Sequence, residues 1–263
     1  MVISAEPKIL ALDFDGVICD GLLEYFQTTK YTYVKVWTEN SLDFLNNFAT
    51  NFYRLRSVIE TGWEMPILLR ALVLGFDQNQ IQNDWFNICQ KIIESDNLKK
   101  QTLITQLDEV RDNWIHSDLE GWLRLHRFYP GVIEKIGKVT GSSTLLYIVT
   151  TKEGRFVQQL LEKQGIELPR KNILGKEVKQ PKYETIRQLL QENPQFSNHL
   201  WFVEDLLKTL CKVQQQSDLK EVTLFLANWG FNTSKNHDLA KRNPYINLLS
   251  LEQFNDNYLS WIS

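Results

Sequence analysis

Two aspartates that are one residue apart, Asp13 and Asp15, follow an apolar run in the segment LALDFDGVICDGL (10–22). On an extended strand, side chains two positions apart point to the same side. Two carboxylates held that close repel each other unless a cation or a shared proton lies between them. The segment therefore indicates a cation site, provided that the rest of the chain supplies further ligands.

Polar side chains also follow later apolar runs. Thr150 ends TLLYIVT (144–150) and Thr151 follows it, and the pair Glu204–Asp205 follows HLWFV (199–203). A lysine cluster lies between these in LGKEVKQPKYE (174–184); its members are Lys176, Lys179 and Lys182. In an open α/β sheet, ligands bind outside the carboxyl ends of the strands, so we expect these groups on one rim.

Such a rim has the composition that phosphoryl transfer requires. Hard oxygen ligands bind Mg²⁺, one carboxylate serves as a nucleophile, and a second donates a proton to the leaving oxygen. A hydroxyl, backbone N–H groups and a cation neutralise the charge on the phosphoryl oxygens. The residues therefore favour Mg²⁺-dependent phosphate chemistry.

The elements that must position these groups form two patterns. Short apolar runs at 8–14, 144–150, 199–203 and 222–227, with a weaker one at 172–174, alternate with helical segments and predict a parallel sheet. Residues 20–127 instead contain successive amphipathic helices, and the five tryptophans there are interpreted as core. We predict an α/β fold: a Rossmann-like core (1–19 and 128–263) with an inserted all-helical cap domain (20–127).

Composition excludes several classes of protein. The 263 residues include 29 basic and 32 acidic side chains, giving a net charge of −3, so neither nucleic acid nor a membrane surface is an expected partner. No apolar run is long enough to cross a bilayer, and MVISAEPKIL does not have the pattern of a secretory signal. Three scattered cysteines are typical of reduced thiols, so we expect a cytoplasmic protein.

Four motifs in order, each behind its own apolar run, resemble the haloacid dehalogenase-like hydrolase superfamily. They are DFDGV (13–17), YIVT (147–150), a lysine near 182, and FVED (202–205). YPGV (129–132) and NWGF (228–231) are also similar to segments of its phosphatases. The resemblance implies a Rossmann-like core with a helical cap between the first and second motifs.

The resemblance also implies roles. Asp13 would attack phosphorus and carry the aspartyl-phosphate, while Asp15 would act as general acid and then as general base. Thr150 and Lys182 would contact the phosphoryl group. Mg²⁺ would be held by Asp13, Glu204, Asp205 and the backbone carbonyl of Asp15. An aspartate at position 15 favours phosphate chemistry over carbon–halogen cleavage. Many relatives carry a further acidic residue where this chain has Thr209 and Leu210, which makes Glu204 the second metal ligand after Asp205.

Each assignment has a structural alternative. The aspartate pair could form a turn after a strand, and Glu204–Asp205 could simply begin a helix. Thr150 could cap its own helix, because Thr150 and Glu153 have the spacing of a capping box. Lys179 is the alternative to Lys182, with Lys176 a weaker candidate. In YRLRSVIETGWEMP (53–66), a candidate recognition loop, Arg56 and Glu60 are also spaced as an ordinary pair on a helix.

The sequence thus predicts an Mg²⁺-dependent phosphatase that acts on a small phosphorylated metabolite through a phospho-aspartate. A phosphomutase on the same scaffold would share every motif. A non-catalytic binding protein that retains the fold is the alternative from another class, since a fold alone does not determine function.

Overall fold

The computed structural model describes residues 6–38 and 41–262 of the chain. They divide into two compact units: a sheet unit, formed by the chain up to Asp20 and from Phe128 onward, and a helical unit, Gly21–Arg127. The sequence predicts these boundaries after residues 19 and 127. Residues 1–5 and 263 of the predicted core domain, and 39–40 of the predicted cap domain, lie outside the described residues.

The strands are β1 (Ile9–Leu12), β2 (Cys19–Asp20), β3 (Arg127–Phe128), β4 (Leu145–Val149), β5 (Ile173–Leu174), β6 (Leu200–Glu204), β7 (Thr223–Ala227) and β8 (Ile246–Leu249). Six of them form the parallel sheet of the sheet unit, in the order β5-β4-β1-β6-β7-β8. Strands β2 and β3, at the points where the chain passes between the units, form a separate pair. The central position of β1 between β4 and β6 brings the residues that follow these three strands to one rim.

Both faces of the sheet are covered, as the near-continuous apolar strands predict. On β6, Phe202 belongs to a buried cluster that includes Leu224 of the neighbouring strand. The next residue back, Trp201, points to the opposite face, since side chains alternate along a strand. Its ring centroid lies 5.0 Å from that of Phe225 and 5.6 Å from that of Trp261. The rim of the sheet is thus supported by two separate apolar layers.

Helices flank the sheet along the rest of this unit. Gly131, with φ +79°, follows Pro130 and is the N-cap of the first of them. The α-helices of the helical unit are α1 (Leu22–Val36), α2 (Leu42–Leu45), α3 (Ala49–Leu55), α4 (Glu64–Val73), α5 (Gln78–Ser95) and α6 (Lys100–Leu123). Those of the sheet unit are α7 (Val132–Thr140), α8 (Gly154–Lys163), α9 (Lys182–Glu192), α10 (Leu207–Gln214), α11 (Ser234–Arg242) and α12 (Leu251–Asn255).

The helical unit has its own core. Of its five tryptophans, Trp37, Trp63 and Trp122 are buried, which confirms the core interpretation for these three, whereas Trp85 and Trp114 are half-buried.

A buried carboxylate, Glu24 of α1, lies within that core. It accepts hydrogen bonds from Arg111 Nε at 2.8 Å, Trp122 Nε1 at 3.1 Å and Thr28 Oγ1 at 2.7 Å. The first two donors belong to α6, so this network ties α1 to α6.

The predicted fold class is confirmed: an α/β chain with a Rossmann-like parallel sheet and an inserted helical unit. Strands β2, β3 and β8 were not predicted. The last amphipathic segment that the sequence indicates within 20–127 is DLEGWLRLHRF (118–128), whereas the last helix of the helical unit begins at Lys100. Asp118 instead marks a kink, with φ −152° and ψ 69°, where its carboxylate accepts from the N–H of Gly121 at 2.8 Å and restarts the helix. Among the described residues, no helix combines the length and apolarity needed to cross a lipid bilayer.

Candidate active site

Asp13 lies immediately beyond the central strand. Its N–H donates to the carbonyl of Val203 at 2.9 Å, so β1 remains paired with β6 as far as this residue. The carboxylate then accepts from the N–H of Phe14 at 2.7 Å and is 5% exposed. A paired backbone and a local hydrogen bond therefore fix the side chain at the carboxyl end of the sheet.

Three buried carboxylates converge there. Asp13, Glu204 and Asp205 each offer an oxygen, and these oxygens lie within 4.8 Å of one another. Burial, reinforced by the charge of Glu204, raises the pKa of Asp13 to about 7. Burial likewise raises the pKa of Glu204 to about 7. Buried carboxyl groups that lie close together resist ionisation because their negative charges would repel each other. A bound cation would offset that repulsion.

Lys182 is the lysine that reaches this group. As the first residue of α9, it places Nζ 2.8 Å from Asp13 Oδ1 and 2.7 Å from Glu204 Oε2. Burial disfavours its charge, but the two carboxylates outweigh that effect and raise the pKa of Lys182 above its ordinary range. Lys176 and Lys179 are exposed. The structure thus brings Lys182, of the three candidates, to Asp13.

The donor set fits Mg²⁺. With the three carboxylates ionised and Lys182 protonated, the group carries two net negative charges, which one divalent cation balances. All three ligands are hard oxygen donors, the kind that Mg²⁺ prefers. Thr209 and Leu210 lie on α10. Because Leu210 is part of the apolar core, an acidic side chain at position 210 would be buried away from water.

Asp15 stands apart from this acidic group. Its carboxylate lies 3.2 Å from Nζ of Lys152, and the two side chains are 15% and 6% exposed. Each of the two aspartates is therefore paired with a lysine, Asp13 with Lys182 and Asp15 with Lys152. The role of Asp15 as a metal ligand through its backbone carbonyl stays a prediction.

A close backbone approach holds Asp205 against the first motif. Gly16 has φ +87°, and a Cβ there would lie 2.0 Å from Asp205 Oδ2. The same carboxylate accepts from the N–H of Phe231 at 2.7 Å, while the Asn232 side chain donates to the Asp205 carbonyl at 3.0 Å. The loop after β7 and the turn after β1 thus enclose Asp205 from two sides.

Thr150 follows β4 and does not cap a helix. Its N–H donates to the carbonyl of Leu174 at 3.0 Å, and its hydroxyl accepts from the N–H of Lys152 at 3.2 Å. Helix α8 begins only at Gly154, whose N–H donates to Glu177 at 3.1 Å. The capping-box alternative is therefore wrong, and the first N–H of α8 is directed to a carboxylate of the protein itself.

The candidate recognition loop belongs to the helical unit. Helix α3 ends at Leu55, so Arg56 and Glu60 do not lie on one continuous helix, contrary to the alternative of an ordinary helical pair. Arg56 donates to the carbonyl of Ile59 at 2.9 Å and lies over the ring of Tyr25. The carboxylate of Glu64 accepts from the N–H groups of Glu60 and Thr61. These contacts order the loop internally, and burial raises the pKa of Glu64.

Sequence reasoning missed Lys152 and Asn232. Lys152 lies two residues after the end of the second motif, but a single lysine in a turn has the appearance of a solvated charge. Asn232 follows NWGF, and nothing in its type indicates the hydrogen bond to Asp205. The signal that could have found Lys152 is its position on the same rim as Asp15, two residues after Thr150.

Solved structures match the whole chain. A predicted phosphatase from Clostridium acetobutylicum has a TM-score of 0.58 and 16% identity, over 95% of this chain and 97% of that one. A predicted phosphoglycolate phosphatase from Haemophilus somnus has a TM-score of 0.58 and 13% identity, over 99% and 98%. A haloacid dehalogenase-like family hydrolase from Streptococcus pneumoniae has a TM-score of 0.55 and 15% identity, over 94% of each chain. The chain has the haloacid dehalogenase-like fold.

This confirms, at the level of the fold, the resemblance stated from the four motifs. No protein-family model matches the sequence, and no curated protein matches it. At 13–16% identity, the likeness to these structures is a likeness of fold.

Proposed function

We propose that this protein is an Mg²⁺-dependent phosphatase that hydrolyses a small phosphorylated metabolite through a phospho-aspartate. The observation that carries the proposal is the buried group of Asp13, Glu204 and Asp205. Lys182 forms salt bridges with Asp13 and Glu204 of this group. The solved neighbours named as phosphatases support the same reaction class. We also propose a cytoplasmic location, for which the three free cysteines are the support.

The residues divide the work as follows. A carboxylate oxygen of Asp13 forms a bond to phosphorus as the ester P–O bond breaks, and Asp15 gives its proton to the departing alcohol. Water then attacks phosphorus and Asp15 takes a proton from it. The bond between the Asp13 oxygen and phosphorus breaks, which regenerates the Asp13 carboxylate and releases inorganic phosphate. Lys182 and the Thr150 hydroxyl neutralise the phosphoryl oxygens.

Asp13, Glu204, Asp205 and the backbone carbonyl of Asp15 would hold the metal. Mg²⁺ supplies charge neutralisation at the phosphoryl group when it is bound. In this proposal the sheet unit is the catalytic domain, and the helical unit is a cap domain that limits the access of water.

The test is phosphate release from a panel of phosphate monoesters with Mg²⁺, including p-nitrophenyl phosphate. We expect turnover that EDTA suppresses and that Asp13→Asn lowers by about 10³-fold or more, because the nucleophile is lost. Asp238→Asn, an exposed aspartate on α11, is the matched control.

Three outcomes contradict the proposal. Phosphate release that survives in Asp13→Asn would exclude the phospho-aspartate. An isomerised ester in place of free phosphate would favour the phosphomutase. Absence of turnover with every ester, in a protein that still binds Mg²⁺, would favour the binding protein.

A further inference from the structure

The loop that follows β7, residues 228–232, holds Asp205 by its backbone and by its side chain. The N–H of Phe231 donates to Asp205 Oδ2 at 2.7 Å, and the Asn232 side chain donates to the Asp205 carbonyl at 3.0 Å. A Cβ on Gly230 would lie 2.3 Å from the Cβ of Asp205 and 2.4 Å from the carbonyl oxygen of Gly16. The place of Asp205 in the acidic group therefore depends on where this loop lies.

The Asn232 carboxamide joins the ends of two strands. Besides its bond to Asp205, which directly follows β6, its Nδ2 donates at 2.8 Å to the carbonyl of Ala227, the last residue of β7. A carboxamide nitrogen has two hydrogens to donate, and main-chain carbonyl oxygens can only accept. Both hydrogens of Nδ2 are thus in use, and these two carbonyls determine which way the amide is turned.

His237 supplies the partner of the amide oxygen. Its ring is half-buried, and Nε2 lies within hydrogen-bonding distance of Asn232 Oδ1. Because Oδ1 can only accept, Nε2 must carry a proton and donate it to this bond. A chain of hydrogen bonds therefore runs from His237 through the Asn232 amide to Asp205.

Helix α11 fixes the position of His237. Thr233 and Asn236 form a capping box at its start: the N–H of Asn236 donates to Thr233 Oγ1 at 3.3 Å, and the N–H of Thr233 donates to Asn236 Oδ1 at 3.0 Å. The N–H of His237 donates to the Thr233 carbonyl at 3.1 Å, and Ala240 on the same helix is buried in the core. Such rigid support is typical of residues that orient metal ligands from behind.

We infer that His237 is a positioning residue for the metal site, and that it holds Asp205 in the acidic group through the carboxamide of Asn232. The inference rests on the proposed function, in which Asp205 is a metal ligand. His237 itself contacts neither the cation nor the ester. Its donor completes the three hydrogen bonds that fix the Asn232 amide, so its loss leaves the loop and Asp205 less firmly held.

The test is the affinity for Mg²⁺, measured by isothermal titration at 25 °C. His237→Leu removes the donor and keeps a side chain that is well suited to a helix. We expect its dissociation constant for Mg²⁺ to be about tenfold higher than that of the wild type, as is typical when a group behind a metal ligand is lost. His237→Gln should keep most of the wild-type affinity, because its amide places an N–H donor near the position of Nε2.

A double-mutant cycle tests the route through Asn232. Asn232→Ala alone should weaken Mg²⁺ binding at least as much as His237→Leu does. His237→Leu added to Asn232→Ala should then have little further effect, because the amide on which His237 acts is gone.

His116→Leu, at an exposed histidine of the helical unit, is the control and should keep the wild-type affinity. Thermal melting without metal checks the fold of each variant. If His237→Leu melts below 25 °C, His237→Asn replaces it, since its amide stays polar but is too short to reach Asn232 Oδ1.

Wild-type affinity in a folded His237→Leu protein would overturn the inference and leave the proposed function standing. Equal losses in His237→Leu and His237→Gln would also overturn it, because the donor would then not be what matters. A fully additive loss in the double variant would overturn the route through Asn232. Absence of Mg²⁺ binding in the wild type would instead remove the proposed metal site and the inference together.

Discussion

The buried carboxyls of Asp13 and Glu204 determine how the site responds to pH. Burial raises the pKa of each to about 7, well above the ordinary values of 3.8 and 4.5. The folded protein therefore holds these protons more tightly than the unfolded chain does. The associated stability is fully present below the unfolded pKa values and is lost as pH rises through about 7.

Because the free energy of unfolding decreases as pH rises, the metal-free protein should respond to pH in a defined direction. Between pH 6 and pH 8, the free energy of unfolding should fall by on the order of 1 kcal/mol for each of the two carboxyls. Added Mg²⁺ should stabilise more at pH 8 than at pH 6, because the cation competes with these protons. Thermal unfolding at both pH values, with and without Mg²⁺, measures both effects.

Asp13→Asn isolates the contribution of one carboxyl, since its amide does not titrate. Its pH dependence between 6 and 8 should be shallower than that of the wild type. A wild-type protein that is more stable at pH 8 than at pH 6 without metal, with no difference from Asp13→Asn, would show that these carboxyls ionise freely in the fold.

At the scale of elements, the turn after β1 depends on glycine at position 16. Gly16 adopts φ +87°, which costs other residues about 1 kcal/mol, and its Cα faces Asp205 Oδ2 without room for a methyl group. Gly16→Ala should therefore displace Asp205, weaken Mg²⁺ binding at least tenfold and destabilise the protein. Isothermal titration with Mg²⁺ and urea unfolding give the two readouts.

Gly165, beyond the end of α8, is a control for the backbone strain at Gly16, because a substitution there has the strain of a positive φ without a steric clash. It has φ +75°, and nothing lies within 4 Å of the position that a methyl group would take there. Gly165→Ala should therefore cost about 1 kcal/mol of stability and leave Mg²⁺ binding intact. Equal effects of the two substitutions on Mg²⁺ binding would mean that Gly16 contributes no space to the site.

The burial and composition of the elements explain which of them could be predicted from the sequence alone. Strands β1, β4, β6 and β7 are continuous apolar runs, so they and the rim that follows them were predictable. Strand β8 is four residues long and only partly buried, so its sequence, INLL, gives a weak signal. The first half of α6 is mostly polar, although Leu103, Leu107 and Val110 recur at helical spacing and are buried.

Within the site, residue types with a fixed chemical role were predictable and spatial partners were not. Asp13, Glu204 and Asp205 follow strands and bear charges, which is a local signal. The choice of Lys182 over Lys179 depends on which lysine begins α9 and reaches Asp13. The pairing of Asp15 with Lys152 joins residues that are 137 positions apart, and only the parallel pairing of β1 with β4 brings them together.

At the scale of the whole molecule, the two units have separate cores, so damage to one need not change the chemistry of the other. Arg111→Met removes the charge that faces the buried carboxylate of Glu24 in the helical unit. Breaking a buried pair from one side costs about 3 kcal/mol, because an uncompensated charge remains. We expect a lower unfolding temperature and an unchanged Mg²⁺ affinity at 25 °C.

Arg54→Met, at an exposed arginine of the same helical unit, is the control and should leave the unfolding temperature nearly unchanged. Calorimetric unfolding and Mg²⁺ titration of both variants provide the comparison. Loss of Mg²⁺ binding in a folded Arg111→Met protein would show that the acidic group depends on the helical unit.

The brevity of β5 has a consequence for how these molecules meet one another. Only Ile173–Leu174 form this edge of the sheet, and the Asn172 side chain donates to the Leu146 carbonyl at 2.8 Å just before it. A strand from another molecule would find a two-residue ladder there, which is too short to template intermolecular β-pairing. Arg170 Nη1 also donates to the carbonyl of Ile173 at 3.2 Å, so both its shortness and a charged side chain protect this edge against aggregation.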